Sequence, residues 1–107
     1  MLYARISLMT PRPETEQQVA RIMDDLMAYY AARRGYVSGY KLLSTAQDRQ
    51  IGRVTIWRSE EDADTAAQSA HVLARRSELL PLVVDDFDAS YYAADGSESL
   101  ASLVQRP

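Results

Sequence analysis

The 107-residue chain has no cysteine and no asparagine, and only one tryptophan, one histidine, one phenylalanine and one lysine. Without cysteine there is no disulfide, no thiolate nucleophile and no cysteine-ligated metal or iron–sulfur cluster. A single histidine, His71, excludes a multi-histidine metal site, and we expect neither a metal nor a cofactor. The four glycines are scattered, so no glycine-rich phosphate loop is present. No apolar run approaches the length of a membrane span. The N-terminal MLYARISLMTPRPE carries Arg5 inside its apolar run and has no small-residue cleavage site, so it reads as a first strand and not as a signal peptide. A soluble, cytoplasmic protein is expected. Twelve cations face fifteen anions, for a formal net charge of -3. An acidic balance without a basic run argues against nucleic acid and against an anionic membrane surface.

What is present is strongly periodic. Residues 2–9 alternate, with Leu2, Ala4, Ile6 and Leu8 on one face and Tyr3, Arg5, Ser7 and Met9 on the other, which predicts a strand. Pro11 and Pro13 break it, and Glu14 and Glu16 suit the positive end of a helix dipole. The period then becomes helical as far as Arg34: Val19, Ile22, Met23, Leu26, Met27 and Tyr30 form one stripe, ended at Gly35. Strand-forming residues fill 36–45 and 51–58, joined by a polar link, which predicts a hairpin, and Gly39 points to a bulge or a close backbone approach. Ser59 followed by Glu60, Glu61 and Asp62 is a capping-type start for a second helix running to about Glu78. Residues 86–94 form a last strand.

The order β-α-β-β-α-β predicts an α+β, ferredoxin-like fold: an antiparallel four-stranded sheet with two helices on one face. Residues 1–94 would form this domain, and 95–107 a tail that is flexible or clasps a partner. The strands carry bulky residues on both faces: Val54 and Ile56 against Trp57, Leu42 against Leu43, Phe87 and Tyr91 against Tyr92. Two helices cover only one sheet face, so the other needs a cover of its own, and a symmetric partner is the economical one. We therefore expect a homodimer packed sheet to sheet.

The segment WRSEEDADTAAQSAH, residues 57–71, holds both the tryptophan and the histidine. Ala63, Ala66, Ala67, Ala70 and Ala74 recur at helical spacing on one stripe, meaning either close helix–sheet packing or room for a small molecule. On a continuous helix His71 falls about 80° from the stripe's centre, suited to reaching into a cleft or to bonding a neighbouring carbonyl. Trp57 reads as a core anchor or as a flat wall for an aromatic ligand. Tyr30 is mid-stripe, so its hydroxyl needs a partner. Tyr3, Tyr36, Tyr40, Tyr91 and Tyr92, with Arg5 and Arg53, furnish strands with groups that cradle a polar aromatic or a carboxylate. Asp85, Asp86 and Asp88 straddle both faces of a strand and make a poor metal cluster.

The frame W-x-S…S-x-H (Trp57, Ser59, Ser69, His71), together with RGYVSGYKLL at 34–43, resembles the antibiotic biosynthesis monooxygenase-like (ABM) domains of the dimeric α+β barrel superfamily. The resemblance covers residues 2–93. It implies a sheet packed on a partner's sheet, a pocket between sheet and helices, and oxidation of phenolic or quinol-like aromatics by O2 without metal or flavin. On that resemblance His71 is a candidate catalytic residue, and Trp57, Tyr30, Arg5 and Ser7 are candidate substrate-binding residues for a small aromatic ligand. The heme-degrading branch carries an Asn–Trp–His trio. Here the matching regions hold Arg5, Ile6 and Ser7, then Ala66, then Arg75 and Arg76, so heme degradation is not expected. The oxygenases of the family use a pocket asparagine, which this chain lacks; Ser7 and Gln68 are the available substitutes. A non-catalytic dimeric binding module and a cyclase or isomerase of the same superfamily are the alternative readings.

Overall fold

The computed structural model describes residues 1–105; Arg106 and Pro107 of the tail lie outside the described residues. The elements follow the order β1 (Leu2–Pro11), α1 (Glu16–Ala31), β2 (Tyr36–Leu43), β3 (Ile51–Trp57), α2 (Glu60–Ala67), α3 (Ala70–Leu79), β4 (Val83–Ala93) and α4 (Leu100–Val104), with one 3₁₀ turn at Leu80–Leu82. The strands form a single sheet in the order β2-β3-β1-β4, and each neighbouring pair is antiparallel. This is the ferredoxin-like arrangement, with one split β-α-β unit interleaved with another.

Register decides which residues meet the helices. Tyr3, Arg5, Ser7 and Met9 of β1 stand opposite Trp57, Thr55, Arg53 and Ile51 of β3. The period-two pleat directs these residues to one face, and the helices cover it. Tyr3, Ser7, Met9, Arg53, Thr55 and Trp57 are all buried. From α1 the core receives Val19, Ile22, Met23, Leu26 and Tyr30, as the sequence periodicity implies. Helix α1 ends three residues earlier than Arg34, and Gly35 takes the left-handed φ of +83° beyond it. Gly39 allows a close approach on β2: a Cβ there would meet the Tyr36 hydroxyl and the Met27 methyl. The bulge lies next to it, between Tyr36 and Ser38.

The other sheet face is left largely open among the described residues. Ile6, Val54 and Ile56 are only half-buried there, and Tyr40, Phe87 and Tyr91 are 61%, 55% and 54% exposed. Strand β4 begins at Val83, three residues earlier than the pattern predicts, because Val83 is drawn into the core after the 3₁₀ turn.

The second helix is not continuous to Glu78. It breaks after Ala67 into α2 and α3. Ser69 adopts an extended conformation (φ -66°, ψ 151°), and its hydroxyl accepts from the Val72 amide at 3.3 Å, making it a fresh N-cap. Ser59 caps α2 in the same way through the Asp62 amide. The new start resets the helical phase, so Ala63 and Ala66 are buried while Ala70 and Ala74 are exposed. One alanine stripe becomes a short stripe on α2 alone. Replacing Ser69 by Ala should lower stability by about 1 kcal/mol, the usual worth of an N-cap, as measured by urea unfolding.

Candidate functional site

Between the sheet and helices α2 and α3 lies a cavity of about 290 Å³. Trp57 and Tyr30 form its aromatic wall, Ala63 and Ala67 its helical side, and Arg5, Ser7, Arg53 and Thr55 come from the sheet. The small side chains of α2 therefore border open space as well as close packing. A second cavity of about 220 Å³ adjoins it, and Ser7, Arg53 and Arg76 border both. Four of the five residues singled out in the sequence, Trp57, Tyr30, Arg5 and Ser7, line the same cavity.

Trp57 is 1% exposed, and its indole N–H donates to Thr55 Oγ1 at 2.9 Å. Tyr30 and Tyr36 meet it edge to face, with ring centroids 5.8 and 5.7 Å away. It serves as core anchor and cavity wall at once. Arg5 donates to the Asp64 carboxylate of α2 and more weakly to the Tyr3 hydroxyl at 3.5 Å. Partial burial works against its charge, but these two bonds outweigh that and raise its pKa above the ordinary arginine value. Arg76 of α3 pairs with Asp88 of β4 at 3.0 Å, and the Tyr92 hydroxyl donates to Glu60 at 3.0 Å. Two polar ties thus fasten the edge strand to the helices on the β4 side of the cleft. Asp85, the remaining member of the acidic run on β4 with Asp86 and Asp88, pairs with Thr10 of β1, so the run is divided between the faces.

Three polar groups of this cavity have no strong partner among the described residues. Tyr30 (5% exposed) and Ser7 (7%) form no side-chain hydrogen bond. Arg53 (7%) contacts only the Met23 sulfur at 3.4 Å and the face of the Tyr30 ring at 5.5 Å, with no carboxylate in ion-pair range. Arg76 was not among the residues singled out in the sequence, and Arg53 was named there only as one of the strand groups able to cradle a polar aromatic or a carboxylate. The alternation of β3 does place Arg53 beside Trp57 on the helix face, but its depth depends on the helices above it.

His71 lies elsewhere. Its Nε2 meets Asp25 Oδ2 of α1 at 2.7 Å, and its ring stacks on Tyr29 with centroids 4.3 Å apart. Arg75 reaches the same Asp25 oxygen at 2.8 Å, and Arg33 stands over the far ring, 4.3 Å from the Tyr29 centroid. This cluster joins α1 to α3 at the surface, and His71 borders neither cavity. Its direction follows from the reset at Ser69, which removes the phase relation between His71 and the alanines of α2.

The sequence matches no protein-family model and no curated protein. Solved structures do match. Rv0793 from Mycobacterium tuberculosis superposes with a TM-score of 0.81 at 20% identity, over 92% of this chain and all of that one. The N63A mutant of SnoaB, a cofactor-independent oxygenase from Streptomyces nogalater, gives 0.79 at 13% identity, over 92% and 98%. A Nitrosomonas europaea protein proposed to be an antibiotic biosynthesis monooxygenase gives 0.81 at 12%, over 91% and 94%. The chain has the ABM-like fold. At these identities the likeness concerns backbone architecture, and the ABM-like proteins share it along nearly their whole length. No helix among the described residues is long and apolar enough to cross a membrane.

The Asp25 cluster makes a pH-dependent prediction. Hydrogen bonds from Arg75 and then His71 hold the Asp25 pKa below the ordinary carboxylate value. A carboxylate whose pKa is lowered on folding stabilises the fold above its unfolded pKa, about 3.9, and that contribution disappears as pH falls through the folded pKa. Asp25→Asn should therefore be less stable than wild type at neutral pH. The difference should narrow as pH falls below about 3.9 and through the lowered folded pKa, as followed by thermal unfolding across pH.

Proposed function

We propose that this chain is a cofactor-independent monooxygenase that oxidises a small phenolic or quinol-like aromatic in the cavity between the sheet and α2. The carrying observation is the cavity itself: an aromatic wall of Trp57 and Tyr30 facing the small side chains of Ala63 and Ala67, with guanidinium groups along the sheet. Its size suits two fused rings. The ABM-like fold, shared with a protein described as a cofactor-independent oxygenase, supports the same reading.

In this reading the ring lies against Trp57, and its phenolic oxygen faces Arg5, with the Tyr30 hydroxyl orienting it. A free phenol has a pKa of about 10, and a neighbouring guanidinium favours the phenolate. The electron-rich phenolate supplies the electrons to O2. A carbon–oxygen bond forms para to the phenolic oxygen. The ring proton leaves, the O–O bond breaks, and the departing oxygen is released as water. Phenol and O2 thus become quinone and water. His71 is assigned a structural part at the α1–α3 seam. The functional unit is a homodimer in which a partner's sheet covers the open apolar face around Ile6, Val54, Ile56, Phe87 and Tyr91.

An oxygen electrode with 1-naphthol as substrate tests the chemistry. One O2 should be consumed for each 1,4-naphthoquinone formed, and Trp57→Ala should lose most of the rate. His71→Ala should keep it within about twofold. Ligand binding without oxygen uptake would return the protein to the class of binding modules, and turnover without oxygen would make it an isomerase or cyclase. Dimerisation is tested separately by native mass spectrometry: placing glutamate at both Phe87 and Tyr91 should convert a dimer to monomer.

A further inference from the structure

Arg53 is the one cavity-lining cation whose charge is left without an anion in ion-pair range among the described residues. Arg5 holds Asp64, and Arg76 holds Asp88. Lys41, which pairs with Arg53 across β2 and β3, turns its ammonium to Asp24 at 2.8 Å. Asp86, on the border of the adjoining cavity, is exposed and forms no ion pair with Arg53. Arg53 is only 7% exposed, yet no side-chain polar atom among the described residues is both sealed from solvent and unpartnered, so its unbonded N–H groups open onto the cavity. A thioether and a ring face use only a fraction of its five N–H donors.

Directly across the strand pair from Arg53 is Ser7, itself 7% exposed and with no side-chain hydrogen bond. Facing residues on one side of an antiparallel pair stand about 5 Å apart at Cβ. Both border the same two cavities. Two buried residues, one cationic and one a hydroxyl donor, therefore share one seat on the sheet and turn unbonded polar atoms to the cavity.

We infer that Arg53 and Ser7 form a carboxylate seat, so that the ligand of this cavity is an aromatic acid. A planar carboxylate matches the guanidinium fork and leaves an oxygen lone pair for the Ser7 hydroxyl. Its aromatic body extends from the seat to the Trp57–Tyr30 wall of the first cavity. The bound carboxylate supplies the anion that Arg53 lacks in the free protein. The assignment rests on the ligand cavity of the oxygenase reading but requires none of its chemistry.

The test compares naphthalene-2-carboxylate with naphthalene-2-carboxamide, a neutral probe of nearly the same shape, by isothermal titration calorimetry. Neither probe is a phenol, so oxidation plays no part. Wild type should prefer the carboxylate by about 10- to 100-fold, the range of a charge-assisted hydrogen-bonded contact. Arg53→Met should abolish that preference while keeping amide binding. Ser7→Ala should reduce the preference severalfold, and it carries the test by itself if Arg53→Met fails to fold. Equal binding of the two probes by wild type overturns the assignment, as does a preference that survives both substitutions. Failure to bind either probe removes the seat together with the ligand cavity. A clear carboxylate preference in a protein that consumes no oxygen leaves the seat standing and removes the oxygenase reading alone.

Discussion

The pairing of β1 with β3 is the constraint on which the rest of the molecule depends. Tyr3 opposite Trp57, Arg5 opposite Thr55 and Ser7 opposite Arg53 put an aromatic anchor and two polar pairs on the face that the helices cover. A slip of one residue would turn every one of these side chains to the other face. The anchoring of Trp57 by Tyr30, Tyr36 and Thr55 resists such a slip. Register thus determines core and cavity together, and a substitution that loosens Trp57 acts on stability and on the site at once.

Much of this was legible in the chain. Alternation assigned the correct residues of β1 and β3 to shared faces, and the helical stripe of α1 named its buried side chains. The polar residues at 68–69 hid the break before α3, because Gln68 and Ser69 also read as the outward side of an unbroken helix. The consequence reached His71. Its angle from the alanine stripe had meaning only on a continuous helix, and once Ser69 restarts the turn the ring points to Asp25 and Tyr29. Arg53 shows a different limit. Pattern alone places it on the helix-covered face, but whether such a side chain reaches water or stays beneath the helices is set by tertiary packing. Its lack of an anion is likewise a property of several elements together, which local sequence does not encode.

The charges of the cleft divide by depth. On the β4 side, Arg76 with Asp88 and Tyr92 with Glu60 tie the edge strand to α3 and α2 through partly solvated contacts. Such pairs contribute little to stability singly. Their greater effect is positional, because β4 is an edge strand paired in the sheet with β1 alone. Deeper in, Arg53 has no such neighbour and opens onto the cavity instead. A chain of net charge -3 thus keeps a locally positive interior at its cavity.

The break at Ser69 also separates two kinds of change that a single long helix would couple. Helix α2 presents its alanines to the cavity, while α3 carries His71 and Arg75 to the seam with α1. Because α3 begins from its own cap, enlarging Ala63 or Ala67 alters the room beside Trp57 without passing a rotation along the backbone to the Asp25 cluster. The shape of the chamber is therefore free to drift in the course of descent while the scaffold that carries it stays put.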